Sequence, residues 1–473
     1  MLRGAIIPVI LLLLSLQVHA QDGNIWKPVG GVGISSGEAD SPSIAVDHEN
    51  RAWIAYRDIE NNRKTIVLRW NNEDWEPVGE GAISEGRSSN QNLIIDETGN
   101  VWLAYIDGEN NHKPVLRKWS GTEWEMIGQE GISSGPSDYL DITIDHKGRP
   151  WAAFKNLDRN RSSTVKKWNG SDWLNMNVET GISQFQNIAV DQDGRAWLIF
   201  KNLENEGKTS VLWMDPQTGE WSTAGSKVIS DERSRHQNIE IDKDGVAWIA
   251  YEDYEVDRRT TVRKWNSLAQ QWELVGEHGI SDSRSWYQNL VFDSDGTPWI
   301  SFNDGGTWPG PEGWKPTVMQ WNGFSWNEVG GRGISFMGSR SPNMAIGPDG
   351  IPWVGYKDKA NFNRITVRRW QQPGDEEIIE QLDLPVITRL HQNYPNPFNP
   401  ETTIEFELPR NYYVTLDVYS SDGRHIANLV NSELPQGTHS VIFDGSELAT
   451  GTYIYRLVAG GIIFRSKTMA FIK

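Results

Sequence analysis

The sequence predicts an all-β chain, a seven-bladed β-propeller followed by a small β-sandwich, and three observations carry that expectation. Residues 93–128 hold four short runs rich in Val, Ile, Leu, Tyr and Trp, at 93–95, 101–106, 114–119 and 124–127. Asp96-Glu-Thr-Gly99, Asp107-Gly-Glu-Asn-Asn111 and Ser120-Gly121 separate them, so they read as antiparallel strands joined by tight turns. The unit then recurs, and Trp counts the copies in three series of seven. Second strands carry Trp53, Trp102, Trp151, Trp197, Trp248, Trp299 and Trp353. Third strands close on Trp70, Trp119, Trp168, Trp213, Trp265, Trp321 and Trp370. Fourth strands open on Trp26, Trp75, Trp124, Trp173, Trp221, Trp272 and Trp326. A period of roughly 50 residues is the spacing of propeller blades. Finally, the fourth-strand motif at Ile25-Trp26 has no blade before it, and the last blade stops after its third strand at Trp370. An N-terminal strand that completes the last blade closes the ring and leaves no edge.

Composition narrows the function. The chain has 473 residues, a formal net charge of −18 and no Cys. That acidity argues against nucleic acid, whose phosphates need clustered Lys and Arg. The absence of Cys removes disulfides, thiolate metal sites and Cys nucleophiles. Residues 1–20 join Arg3, an apolar run over 5–16 and the small-residue ending Val18-His-Ala20, which is the pattern of a secretory signal peptide cleaved after Ala20. The run is short for a membrane span of about 20 residues, and no later segment reads as one.

The propeller is expected over 21–370. Its first hairpins share D-x-x-G-x-x-W, as in Asp96…Gly99…Trp102 and Asp242…Gly245…Trp248. Asp opens such a turn through its own backbone, and Gly supplies a positive φ. A calcium loop needs a fuller run of oxygen ligands. The Ser-x-Asp-x-Gly-x-Thr-Trp order of sialidase-like Asp boxes is not met, even at Asp293-Ser-Asp-Gly-Thr-Pro-Trp299. The repeat resembles those of two-component-regulator and lectin-like bacterial propellers, a resemblance that implies a fold and names no ligand.

Strand direction places the second-to-third loops and the blade connections on one face. There the second strands end in pairs such as Tyr56/Asp58, Tyr105/Asp107, Phe154/Asn156 and Phe302/Asp304, beside Asn92, Asn187, Asn238, Asn289 and Asn343. These groups either satisfy backbone amides or form one polar site per blade for a repetitive ligand such as a polysaccharide, and both can hold at once.

One blade breaks the pattern. The series account for 21 of the 24 Trp, and the other three, Trp286, Trp308 and Trp314, all belong to the sixth blade. Trp286 and Tyr287 enter it; Trp308 and Trp314 lie in its long, Gly/Pro-rich second-to-third loop. Trp286, Tyr287, Asp304, Trp308, Trp314 and Lys315 are therefore the candidate ligand-binding residues, with rings to stack on a sugar or a Pro and charges to orient it. The alternative is a small core folded under its own loop. No catalytic motif or His/Asp/Glu cluster with metal spacing stands out, and no metal or cofactor is expected. His236 and Asp141 depart from their series and are the catalytic outliers. The expected function is binding of a glycan or a surface protein, with a propeller glycoside hydrolase or polysaccharide lyase as the alternative.

Residues 371–390 read as an acidic linker. Beyond it, alternation at Ile404, Phe406 and Leu408, at Val414, Leu416 and Val418, at Val441 and Phe443, and at Tyr453, Tyr455 and Leu457 predicts an antiparallel sandwich. Residues 391–473 closely resemble the type IX secretion system C-terminal sorting domain. The matching residues are Asn393-Tyr-Pro-Asn-Pro-Phe-Asn-Pro400, Thr403-Ile-Glu-Phe406, Asp422-Gly-Arg424, Gly437-Thr-His439, Gly451-Thr-Tyr453 and Lys467-Thr-Met-Ala-Phe-Ile-Lys473. The resemblance implies an Ig-like sandwich related to that of flagellar hook-capping proteins. It also implies a partner in the type IX machinery and passage through the periplasm to the outer surface. In that family the tail is usually removed, and the cargo is released or attached to lipopolysaccharide.

Overall fold

The computed structural model describes residues 25–371 and 389–473, apart from 130, 307–312, 336, 409–411, 436 and 460–461. Seven four-stranded antiparallel sheets follow one another. The first, blade 1, runs Ala39–Val46, Ala52–Asp58, Lys64–Trp70 and Trp75–Pro77. The first strands of blades 2 to 7 are Ser88–Ile95, Ser137–Ile144, Ser183–Val190, Ser234–Ile241, Ser285–Phe292 and Ser339–Ile346. Blade 7 takes its fourth strand from the N-terminal side: Ile25–Pro28 pairs antiparallel with Arg364–Gln371, Trp26 opposite Trp370. The Ile44 amide then donates to Asn343 Oδ1 at 2.8 Å, joining blade 1 to blade 7. The ring is closed, as the strand count requires.

Each Trp series has one job. Fourth-strand Trp donates its indole N–H to a carbonyl of the preceding blade in all seven copies, from Trp221 to Met176 at 2.7 Å to Trp173 to Ile127 at 3.3 Å. In six blades it also packs against the third-strand Trp at centroid distances of 5.4–5.6 Å. Second-strand Trp donates to the Asp of its own turn, as Trp102 does to Asp96 at 2.8 Å. That bond explains the D-x-x-G-x-x-W spacing. Blade 7 has Gly347 in place of the Asp, and there the buried Trp353 Nε1 has no acceptor.

The first strands are longer than the sequence suggests: that of blade 2 begins at Ser88, well before the apolar run at 93. Ser, Asn and Gln occupy the added half, and a bulge shifts the register there, so no alternation marks it as a strand.

The tail forms two further sheets. One joins Arg389–Leu390, Glu401–Leu408 and Gly437–Asp444; the other joins His425–Leu434, Tyr412–Ser420, Gly451–Ala459 and Ile462–Phe471. Ile404, Phe406, Leu408, Val414, Leu416, Val418, Tyr455 and Leu457 meet at full burial between them. This is the antiparallel sandwich that the alternation indicates, Ig-like as the resemblance implies. Residues 1–24, with the expected signal peptide, Trp308 and residues 372–388 of the segment 371–390 read as a linker lie outside the described residues; Gln371 and Arg389–Leu390 at its ends belong to strands.

Candidate binding site at the mouth of the central channel

Every first strand carries its bulge about two residues from its start, on the face of the second-to-third loops. At the bulge one residue per blade adopts the left-handed backbone: Ser41, Asn90, Tyr139, Phe185, His236, Tyr287 and Ser341, at φ between 50° and 61°. Ser and Asn occupy it in blades 1, 2 and 7. Blades 3 to 6 place rings there, although a bulky residue in that region costs on the order of 1–3 kcal/mol. The four rings touch in sequence. Tyr139 and Phe185 are 4.7 Å apart between centroids, Phe185 and His236 5.2 Å, and His236 and Tyr287 4.7 Å. They form a half-buried aromatic arc on one side of the mouth, facing the small polar side chains of the other three blades. The cavity they border, about 400 Å³, is the entrance to the central channel.

Below the arc the Asn column serves the architecture. The amides of Ile239, Leu290 and Met344 donate to Asn187, Asn238 and Asn289 of the preceding blade at 2.8, 2.8 and 2.6 Å. The loop-facing acids and amides are used likewise. Asp58, Asp107, Asn156, Asn202, Asp253, Asp304 and Asp358 each accept backbone N–H groups of their own second-to-third loops.

Two acids in the channel wall stand apart. Asp141 takes the Asn position in blade 3 and accepts the Ile188 amide at 2.8 Å. Burial outweighs its backbone hydrogen bonds and pushes its carboxyl up to about 7. Glu240 lines the same cavity; burial, and then the charge of Asp141, push it up to about 8. His236 is driven down to about 3 by burial, then by Arg235, Arg258 and Lys201. Its ring is therefore neutral, and its 3.9 Å approach to Glu252 is not an ion pair. His236 and Asp141, the two outliers of the sequence, thus border one cavity.

The candidate residues of blade 6 separate into three groups. Trp286 and Trp314 stack face to face, 4.2 Å apart and 14° from parallel, with the Arg258 guanidinium 5.5 Å from the Trp286 ring. Gly305 leaves room for Trp314: a Cβ there would lie 2.6 Å from the indole. Asp304 and Lys315 are buried, opposite each other in the ladder. Asp304 accepts the Ser283 hydroxyl at 2.7 Å and the Gly306 amide at 3.1 Å, and burial raises its pKa. Tyr287 is the one that joins the arc. The arc's other members have a sequence signal that strand-by-strand reading passes over, the column Ser-x-Tyr139, Ser-x-Phe185, Ser-x-His236 and Ser-x-Tyr287, each two residues before the Asn or Asp of the channel wall.

Folding also assembles a cluster that the sequence does not display. Asp253, Glu255 and His278 bring ligand-type atoms within 4.8 Å of one another. The His278 ring nitrogen lies 2.9 Å from Asp253, whose other oxygen caps the loop at Glu255. These bonds make it a loop brace.

Residues 392–470 match the family described as "Secretion system C-terminal sorting domain". The tail is thus a sorting domain of type IX secretion, and it indicates export to the cell surface or beyond. No curated protein matches the chain in sequence. A polysaccharide lyase, an ulvan lyase bound to a -[GlcA(1-4)Rha3S]- ligand, aligns at 12% identity over 72% of this chain and 95% of its own, with a TM-score of 0.50. A fungal alcohol oxidase with copper aligns at 10% identity over 95% and 99%, also at 0.50. An α-L-arabinanase of Penicillium chrysogenum aligns at 12% identity over 74% and 98%, at 0.42. At these identities the two likenesses at 0.50 concern the fold alone, and they agree with a propeller. Among the described residues no helix is long and apolar enough to cross a membrane.

Proposed function

We propose that this chain is a secreted or surface-displayed binding protein whose propeller holds a glycan at the channel mouth. The observation that carries the reading is the arc Tyr139–Phe185–His236–Tyr287. Four rings in contact occupy a strained backbone position that three other blades fill with Ser or Asn, so backbone geometry does not call for them. Half-exposed rings beside a polar cavity suit the apolar faces of sugars. Trp286, next to Tyr287 in sequence, and Trp314 are stacked on each other in the same blade and offer a second aromatic surface, and Trp308 belongs to the same loop. In this reading residues 1–20 lead the chain to the periplasm and residues 391–473, related to the Ig-like domain of flagellar hook-capping proteins, take it across the outer membrane. The test is a glycan array probed with residues 21–473. Binding that disappears in Phe185→Ser supports the reading; a blank array with folded protein refutes it in favour of a surface-protein partner.

Asp141 and Glu240 favour a second reading, a glycoside hydrolase or polysaccharide lyase. Two acids near neutrality beside a neutral His are suited to moving protons on a bound sugar. Cleavage of an array hit, abolished by Glu240→Gln with binding retained, would establish it. An array hit left intact by the wild-type chain would remove it.

A further inference from the structure

The formal net charge of −18 would give most surface patches an acidic character, yet one side of the aromatic arc is basic. Lys155 lies 5.5 Å from the Tyr139 ring centroid. Lys201, Arg235 and Arg258 are all close enough to His236 to depress its titration. The counter-charges are Asp138, beside Lys155, and Glu252, which Arg258 engages through its Nε. Cations therefore outnumber anions along blades 3 to 5.

Lys155 and Lys201 are the informative members. They occupy equivalent places in the second strands of blades 3 and 4, opposite Asp138 and Gln184, and are only 7% and 8% exposed. The acidic neighbours are Asp138 for Lys155, whose ammonium sits over the Tyr139 ring, and Glu252 for Lys201. Burial lowers the pKa of both, and for Lys201 the neighbouring Arg235 and Arg233 lower it further. Arg161 acts on Lys155 in the same sense, while Asp138 and Glu252 raise Lys155 and Lys201 respectively without offsetting burial. Desolvated cations with like charges beside them are costly, and an arriving anion relieves that cost. The channel acids oppose such a ligand little, because they sit deeper along their strands and hold protons close to neutral pH.

Resting on the glycan reading above, we infer that the ligand is an anionic polysaccharide, with carboxylate or sulfate groups held by Lys155, Lys201 and Arg235 while the rings of the arc stack on its sugars. Uronates and sulfated sugars share this chemistry. Paired polymers test it on residues 21–473: polygalacturonate against its carboxyl-reduced form, and dextran sulfate against dextran. The charged member of at least one pair should bind about tenfold or more tightly than its neutral partner, and rising salt should weaken that binding. Which pair responds distinguishes carboxylate from sulfate. Lys201→Gln and Arg235→Gln should each cost about tenfold. Arg235 is exposed, so its variant tests the idea even if Lys201→Gln fails to fold. Lys243→Gln, on the opposite face in the Asp242 turn, should change nothing. Equal binding of charged and neutral polymers overturns the anionic inference and leaves the glycan reading standing. Charged-polymer binding that survives both arc-side variants also overturns it. Binding of no polymer by the folded chain overturns the inference and counts against the glycan reading as well.

Discussion

Asp141 and Glu240 make the channel wall sensitive to pH in a direction that can be worked out. Each has a folded pKa above its ordinary value, about 7 against 3.8 and about 8 against 4.5. The folded state holds these protons more tightly than the unfolded chain, so the stability they confer is complete below pH 4 and is lost as pH rises through 7 and 8. His236 acts oppositely: its contribution is complete above its ordinary 6.5 and is lost as pH falls towards 3. Above pH 6.5 only the acids titrate. Thermal unfolding between about pH 6.5 and 9 should therefore show wild type losing stability, and Asp141→Asn with Glu240→Gln showing a flatter profile and a higher Tm at the alkaline end. Asn at 141 is what blades 4 to 7 already carry in that column, so the clasp onto Ile188 survives. An unchanged slope in the double variant would contradict the assignment.

At the scale of elements, the closing strand is where the ring is most exposed to loss. Trp26 packs against Trp370, its indole donates to Val329 at 2.8 Å, and its carbonyl accepts Arg368 at 2.7 Å. Trp26→Ala removes a buried indole and the clamp between blades 6 and 7, and should cost about 3–5 kcal/mol in denaturant unfolding. Leu268→Ala, at a 97% exposed turn outside the Trp series, should leave stability unchanged within about 0.5 kcal/mol. The contrast shows what the sequence makes legible. A Trp whose indole must reach the same carbonyl in every blade recurs at fixed spacing, so blade number, strand order and closure could be read directly. The first half of each inner strand could not be: its polar residues satisfy neighbouring strands across a bulge, and periodicity has nothing to register. The site falls in that half. Trp286 and Tyr287 were visible as departures from the repeat, and Tyr287 does enter the arc. Phe185 and Tyr139 were hidden because only the side-by-side packing of consecutive blades brings the four bulges together. Asp304 and Lys315 read as loop charges, yet their register buries them against each other.

For the whole molecule, the tail carries the address, and the proposed recognition belongs to the propeller. The tail's core is built from its own strands, and its match to a sorting domain concerns export. Removing residues 391–473 should leave the chain inside the outer membrane of a host with a working type IX system, as cell fractionation would show. A truncated chain reaching the surface would contradict that role. In the propeller, the fold itself supplies the means of testing the aromatic arc. Ser41 and Ser341 occupy the arc position in blades 1 and 7, so Ser is tolerated there. The most direct measurement is calorimetric titration of the best-bound glycan into wild type and into chains carrying Tyr139→Ser, Phe185→Ser, His236→Ser or Tyr287→Ser. Tm should be unchanged and affinity reduced about tenfold or more for each ring removed, as loss of a stacking partner implies. Equal affinity in all four variants would contradict it, and would show that the aromatic arc is not where this protein binds.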